Sequence, residues 1–459
     1  MSRGLGPRFI KYKKAISKNP LLSLGVLATV LIFILGVIWR AVFIFSQHPI
    51  THYMAYSDMA NYASEASRFF THGINLAPSD TFYPPGASLL FGFLYHFHHS
   101  WYPVSWLLFV LSALTPLLLA GIGYLLYGRR VALISLVMAS SYIGFVEYSG
   151  YLLSETPYIF LQSLAFLLLL FGLRAKTIER KILWGLGAGF TLGCTAIIRP
   201  VVLLPALLVG LVIVGLQLRN KKMRVWALLA GAVVGVIPFL VGFTVWCSHL
   251  NQQFCMISSN GSVTVLQGHY YNKVGDFKFY DNYRSYSFEA GDPAQGALGF
   301  TKPVTFQWGP YNQQKNLQVA KTWIKSHPKQ ALEYSFLHIY NLFRTVPWPA
   351  EDTLNDKHRM ILSEILFRIF VLIPAAIYTL SLAIPKWRRK VRGKSSDLLV
   401  MAPIAGMALL IFITVGNPRY RVVFDGFFIL LAARAYSFAG DVWSLLPKLG
   451  LKLRNKFSS

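Results

Sequence analysis

Long apolar runs, separated by short basic connections, dominate this chain. A helix needs about 20 apolar residues to cross the hydrocarbon of a bilayer. Runs of that kind lie near residues 21–46, 103–127, 131–147, 156–173, 183–198, 200–218, 225–247, 369–385, 398–416 and 420–436. The pattern predicts an all-α polytopic membrane protein with about ten transmembrane helices. The first run follows Arg3, Arg8, Lys11, Lys13, Lys14 and Lys18. It is too long for a signal-peptide core and lacks a small-residue cleavage site, so it reads as a retained first helix.

Two polar stretches interrupt the apolar pattern, at about 46–102 and 248–368. Three regions follow: an N-terminal transmembrane module over 1–247 carrying the first loop, an extramembrane loop region over 248–368, and C-terminal helices with a basic tail over 369–459. The stretch PPGASLLFGFLYHFHHSWYP, from Pro84, is apolar enough to suggest another crossing. A full crossing there would invert every later loop, so it is expected to lie along the membrane as a juxtamembrane or re-entrant helix. His96, His98 and His99 at its end read as interfacial residues, since no carboxylate or cysteine nearby completes a metal-ligand set. Pro328 breaks the partly amphipathic stretch KTWIKSHPKQALEYSFLHIYNLFR after its first turns.

Composition sharpens this picture. Hydrophobic residues make up 54% of the 459 and charged residues only 14%. The net charge of +26 is spread in clusters between apolar runs. Arg129–Arg130, Arg174–Lys181, Arg219–Arg224, Lys386–Lys394 and the tail with Lys448, Lys452, Arg454 and Lys456 all fall on one side of the predicted membrane. This is the positive-inside bias, which makes that side cytoplasmic. Anionic membrane lipids, and not nucleic acid, are the partners such clusters suit. Of the three cysteines, Cys194 sits in an apolar run as a packing residue. Cys247 and Cys255 share the outer side, and both a disulfide and two free thiols are open to them.

Candidate chemistry gathers on the outer side. In SDMANYASEASRFF, Asp58, Asn61, Tyr62, Glu65 and Phe69 share one helical side. Capping of this helix is the simpler reading of Asp58; presentation of a carboxylate at its outer end is the other. Glu155 opens a long apolar helix with Pro157 in its first turn, and it too has a capping explanation. Arg199 lies in a very tight outer hairpin, and Arg419 and Arg421 open the final apolar run. Each arginine alone can be read as snorkelling to headgroups. Carboxylates and guanidinium forks converging on one rim instead suit a phosphate-bearing lipid.

The stretches SDMANYASEASRFF, FYPPGASLL, LLSETPYIFL, GCTAIIRPVVLLP, SSNGSVTVLQGHYYNK, WIKSHPKQALEY and NPRYRVVFDGFFILLAA occur in that order over nearly the whole chain. The ordered set resembles the polyprenyl-phosphate-sugar-dependent glycosyltransferases of the GT-C fold. Its nearest branch is the bacterial relatives of protein O-mannosyltransferases and of the aminoarabinose transferases that modify lipid A. The resemblance implies sugar transfer from a polyprenyl-phosphate donor to an acceptor hydroxyl on a lipid, glycan or protein. It implies an active site on the extracytoplasmic or periplasmic side of a plasma (inner) membrane. It casts Asp58 as general base and Glu155 as the acid that orients the acceptor or a metal. Arg199, Arg419, Arg421 and His269 would meet the donor phosphate, and Tyr62, Glu65, Tyr83, Pro84, Pro85, Asn260 and Gly268 would line the cavity. Many relatives carry a basic residue before the proline pair, where this chain has Tyr83. No cofactor is certain from the resemblance, which leaves room for a divalent metal on Asp58 and Glu155. The competing reading is a transporter or flippase for a lipid-linked or small solute. Transporters of that kind usually show related halves, and no internal repeat is evident here.

Overall fold

The computed structural model describes residues 20–47, 50, 57–71, 77–220, 224–270, 277–280, 284–288, 304–344, 354–384 and 394–443. The basic residues before Pro20, Lys222 and the tail from Lys448 lie outside the described residues.

Helix α1 (Pro20–Val42) leads to α2 (Ser57–Thr71) and α3 (Pro85–His98). Then come α4 (Tyr102–Tyr127), α5 (Arg129–Ser141), α6 (Ile143–Glu147), α7 (Glu155–Arg174), α8 (Ile178–Ile198), α9 (Leu203–Asn220) and α10 (Val225–Asn251). A set of shorter elements follows: α11 (Asn260–Tyr270), strands β1 (Phe277–Tyr280), β2 (Ser285–Phe288) and β3 (Val304–Phe306), α12 (Gln313–Ser326) and α13 (Pro328–Asn341). The chain ends in α14 (Leu354–Phe367), α15 (Ile373–Ala383), α16 (Lys394–Ile413), the short α17 (Pro418–Val422) and α18 (Asp425–Trp443).

Among the described residues, eight helical segments are long and apolar enough to cross a membrane, and α5 with α6 makes a ninth if that bent pair is counted. The pair is bent by 55°, so the run expected over 131–147 is broken. Tyr142, extended at ψ 111°, makes the break. The run expected near 420–436 is α17 and α18, whose acids and arginines make them less apolar than the rest. Helix α3 has only 14 residues, too short to span, in keeping with a juxtamembrane element. The three strands form a small antiparallel sheet in the order β1-β2-β3, with Phe277 opposite Phe288 and Tyr286 opposite Phe306. This sheet is an addition to the all-α expectation.

Two features hold the bundle in register. Glycines on α8 and α10 repeat at GxxxG spacing, Gly185 with Gly189 and Gly231 with Gly235. A Cβ at Gly189 would lie 2.0 Å from the Ala232 carbonyl oxygen, and one at Gly235 would lie 2.5 Å from that of Leu186. Each backbone therefore needs the other's missing side chain, which is how small residues allow close helix contact in lipid. Arg40 of α1 is fully buried. Its guanidinium donates to the carbonyls of Ser140 (2.9 Å) and Ala139 (3.1 Å), to Gly36 (2.9 Å) and to the Ser112 hydroxyl (2.9 Å). A cation on the open C-terminal carbonyls of α5 complements the helix dipole and ties α1 to the bend.

Candidate active site

The site forms where four chain segments meet at one end of the bundle. Asp58 sits in the first turn of α2, Glu155 opens α7, Arg199 follows the last residue of α8, and Arg419 lies in α17. The basic stretch Arg174–Lys181 joins the other ends of α7 and α8.

Local sequence explains each placement. Pro84 is extended and Pro85 is the first residue of α3, where a missing N–H costs nothing. Gly86 follows, and a Cβ there would fall 2.7 Å from the Ile197 carbonyl carbon. The proline pair and this glycine thus press the start of α3 against the end of α8, one residue before Arg199. At α17, the Asn417 side chain caps by accepting from the Arg419 backbone N–H at 2.9 Å. Gly416, just before it, lets the chain pass the α13 backbone, since a Cβ there would lie 1.8 Å from the His338 carbonyl oxygen.

Arg419 links the two acids. Its Nη1 donates to Asp58 Oδ2 and its Nε to Glu155 Oε1. Arg199 reaches the same Glu155 oxygen at 2.9 Å. Glu155 is fully buried, whereas the Asp58 side chain is 26% exposed. The Asp58 carboxylate also accepts from the Tyr83 hydroxyl at 3.0 Å, and that hydroxyl in turn accepts from the Asn61 amide at 3.1 Å. Tyr62 is buried beside Tyr83, with ring centres 5.7 Å apart, and its hydroxyl donates to Ser154 at 3.2 Å.

An apolar cavity of about 120 Å³ lies deeper in the bundle, lined by Gln162, Phe166, Val202, Pro205, Val209 and Phe427 among others. Gln162 is seven residues below Glu155 on α7, about 10 Å at the helical rise.

The other expected residues lie outside the ion cluster. Arg421 is fully buried and faces away from it. It forms a bidentate pair with Glu364 (2.8 Å to each oxygen) and reaches Asp425 at 2.9 Å. Its guanidinium is thus taken up by Glu364 and Asp425, apart from the Asp58–Glu155 pair that Arg419 joins. His269 is buried on α11, with Nδ1 bonded to its own helix at Val265 (3.2 Å) and Nε2 facing Ser335 at 3.5 Å. Gly268 lets α11 touch the Thr414 backbone, where a Cβ would lie 1.9 Å from the carbonyl oxygen. Gly268 therefore supports the turn that leads to Arg419. Asn260 begins α11, half-buried. Cys247 and Cys255 pair as a disulfide, with Cα atoms 5.4 Å apart, and so close the turn after α10.

Glu65 is on the Asp58 side of α2 but is buried on Ser88, whose hydroxyl donates to it at 2.7 Å. Burial raises its carboxyl to about 8 despite that hydrogen bond. A raised carboxyl binds its proton more tightly in the folded chain, so stability is lost as pH climbs from about 4.5 to about 8. Glu65→Gln is therefore expected to match the parent near pH 4.5 and to exceed it by up to a few kcal/mol above pH 8. Thermal unfolding in detergent across that range checks this, and equal melting at both extremes contradicts it.

No family model and no curated protein matches the chain. Solved structures do. The apo crystal structure of the Archaeoglobus fulgidus oligosaccharyltransferase is similar over 93% of this chain and 52% of its own, at a TM-score of 0.50 and 13% identity. The same protein in complex with zinc and sulfate is similar over 92% of this chain and 51% of its own, with the same TM-score and identity. This chain thus spans about half the length of those structures. Helix order and this likeness together give the chain an all-α, polytopic GT-C fold.

Proposed function

We propose that this chain is an integral membrane glycosyltransferase that moves a sugar from a polyprenyl-phosphate donor to an acceptor hydroxyl, with inversion at the anomeric carbon. The observation that carries the reading is Arg419 spanning Asp58 and Glu155 at the rim of the bundle, above an apolar cavity. The oligosaccharyltransferase likeness supports the same class of chemistry.

The donor's leaving group is a lipid phosphate, which departs well without a dedicated general acid. Its developing charge needs cations, and Arg199 and Arg419 supply them. The acceptor hydroxyl needs a base. Asp58, the more exposed acid, takes its proton while the acceptor oxygen bonds to the anomeric carbon. The bond from that carbon to the phosphate oxygen breaks, and its electron pair leaves with the phosphate. Donor binding has a second effect: the phosphate competes with Asp58 for the Arg419 guanidinium and so frees the base. Glu155 keeps both arginines in place from its buried position. The apolar helices and the cavity beneath them supply the surface for the isoprenoid tail.

One of the similar crystal structures was solved in complex with zinc and sulfate. Here the place between Asp58 and Glu155 is taken by a guanidinium, whose positive charge opposes a dication. Among the described residues, no group of three or more His, Cys, Asp or Glu is arranged to hold a metal. The two acids in this arrangement do not fit a divalent ion, and no step runs through one.

The positive-inside pattern supports a site on the extracytoplasmic face, and the paired cysteines at the same end suit an oxidising compartment. Purified protein in lipid nanodiscs, given a labelled polyprenyl-phosphate sugar and a lipid extract, is expected to release polyprenyl phosphate and form a labelled glycoside. Comparing lipid extracts of cells with and without the protein by mass spectrometry identifies the acceptor. Movement of labelled donor across vesicles with no glycosidic product replaces this reading with transport.

A further inference from the structure

Asp58 is held from two sides, by Arg419 on one and by Tyr83, backed by Asn61, on the other. Tyr83 comes from the turn before α3, and Asn61 lies one helical turn after Asp58 on α2. The direction of the hydrogen bonds follows from the donor inventory. A carboxylate has no proton to give, so the Tyr83 hydroxyl spends its single proton on Asp58 Oδ1. The Asn61 contact at 3.1 Å must then be the amide N–H donating to the Tyr83 oxygen. The Tyr83 ring itself is fixed, edge-on to Phe82 at 4.9 Å and tilted against Tyr62 at 5.7 Å. Burial, followed by the nearby Asp58 charge, holds the Tyr83 phenol well above its ordinary range, so it stays a donor. This relay leaves Asp58 with one oxygen on Tyr83 and the other on Arg419.

We infer that Asn61 and Tyr83 are positioning residues that pin Oδ1 of Asp58 and thereby dedicate Oδ2 to the acceptor hydroxyl once Arg419 turns to phosphate. This rests on Asp58 being the base, as proposed above. A base that can rotate away from its aligned position loses rate but not donor affinity. Misplacement by about 1 Å is enough to cost roughly 100-fold in rate.

The test uses the full chain in nanodiscs with a labelled polyprenyl-phosphate sugar. It compares Tyr83→Phe, Asn61→Ala, the two combined, and Asp58→Asn. Tyr83→Phe keeps the ring packing and is expected to lower kcat by about 10- to 100-fold with the donor KM within about twofold. Asn61→Ala alone is expected to cost less. In the combined variant it should add nothing, because it acts on Asp58 through the hydroxyl already removed. Independent packing roles would instead multiply, and that result overturns the inference. Unchanged kcat in Tyr83→Phe, or a raised donor KM with normal kcat, also overturns it. If Asp58→Asn is inactive while Tyr83→Phe is normal, only the positioning role fails. If Asp58→Asn is fully active, the general-base reading itself fails.

Discussion

Asp58→Asn is expected to lower kcat by about 10³-fold or more while expression and membrane insertion stay near the parent level. Removal of a positioned general base typically costs about 10²–10⁴ in rate. The substitution is isosteric, and the new amide oxygen can still accept from Tyr83, so the fold has little reason to change. Glu155 cannot take over. It is fully enclosed and held by Arg199 and Arg419, whereas Asp58 alone of the two acids is open to an incoming hydroxyl. Asp58→Glu keeps the charge but shifts the carboxylate by about one methylene. It should recover part of the rate, which separates loss of the base from loss of the charge. Turnover with labelled donor in nanodiscs reads both variants, and full activity in Asp58→Asn removes this residue from the role.

Much of the architecture is legible along the chain because lipid allows few backbone solutions. A run of about 20 apolar residues must be helical, and the basic clusters fix which ends lie together. That logic predicts Asp58, Glu155, Arg199 and Arg419 on one rim, and the structure brings these four into direct contact. It does not separate Arg419 from Arg421. Two residues apart on a helix means a rotation of about 200°, so the two guanidinium groups point to opposite sides of α17. The partner of Arg421, Glu364, sits in ILSEILF, and an acid in such a run is itself a sign of a buried ion pair. Arg40 gives the same sign inside the first apolar run, yet its partners are carbonyls that no spacing rule identifies. The Tyr83 contact is illegible for a different reason. It depends on the Pro84–Pro85–Gly86 corner meeting the end of α8, a contact across more than a hundred residues. The strands β1 and β2 are only four residues each, too short for alternation to distinguish them from loop.

Arg419→Ala is expected to damage folding as well as turnover, and the pattern of rescue shows why. The guanidinium is only 7% exposed and neutralises two acids. Its removal leaves Asp58 facing no cation and Glu155 with Arg199 alone. Breaking a buried pair from one side costs about 3–5 kcal/mol, chiefly because the abandoned charge stays desolvated. If that is the cause, neutralising the acids should repair the fold. Arg419→Ala combined with Asp58→Asn and Glu155→Gln is therefore expected to unfold at a higher temperature than Arg419→Ala alone, yet to remain inactive. Arg419→Lys keeps the charge but replaces a planar fork with a point donor that cannot hold both carboxylates in one geometry. It should fold nearly as well as the parent and lose about 10²–10³ in kcat, because the cation facing the leaving phosphate is no longer preorganised. Thermal unfolding of purified protein in detergent, paired with turnover, measures both quantities. A stable Arg419→Ala variant would mean that the two acids find other cations, and the account of this rim as one electrostatic unit would fall.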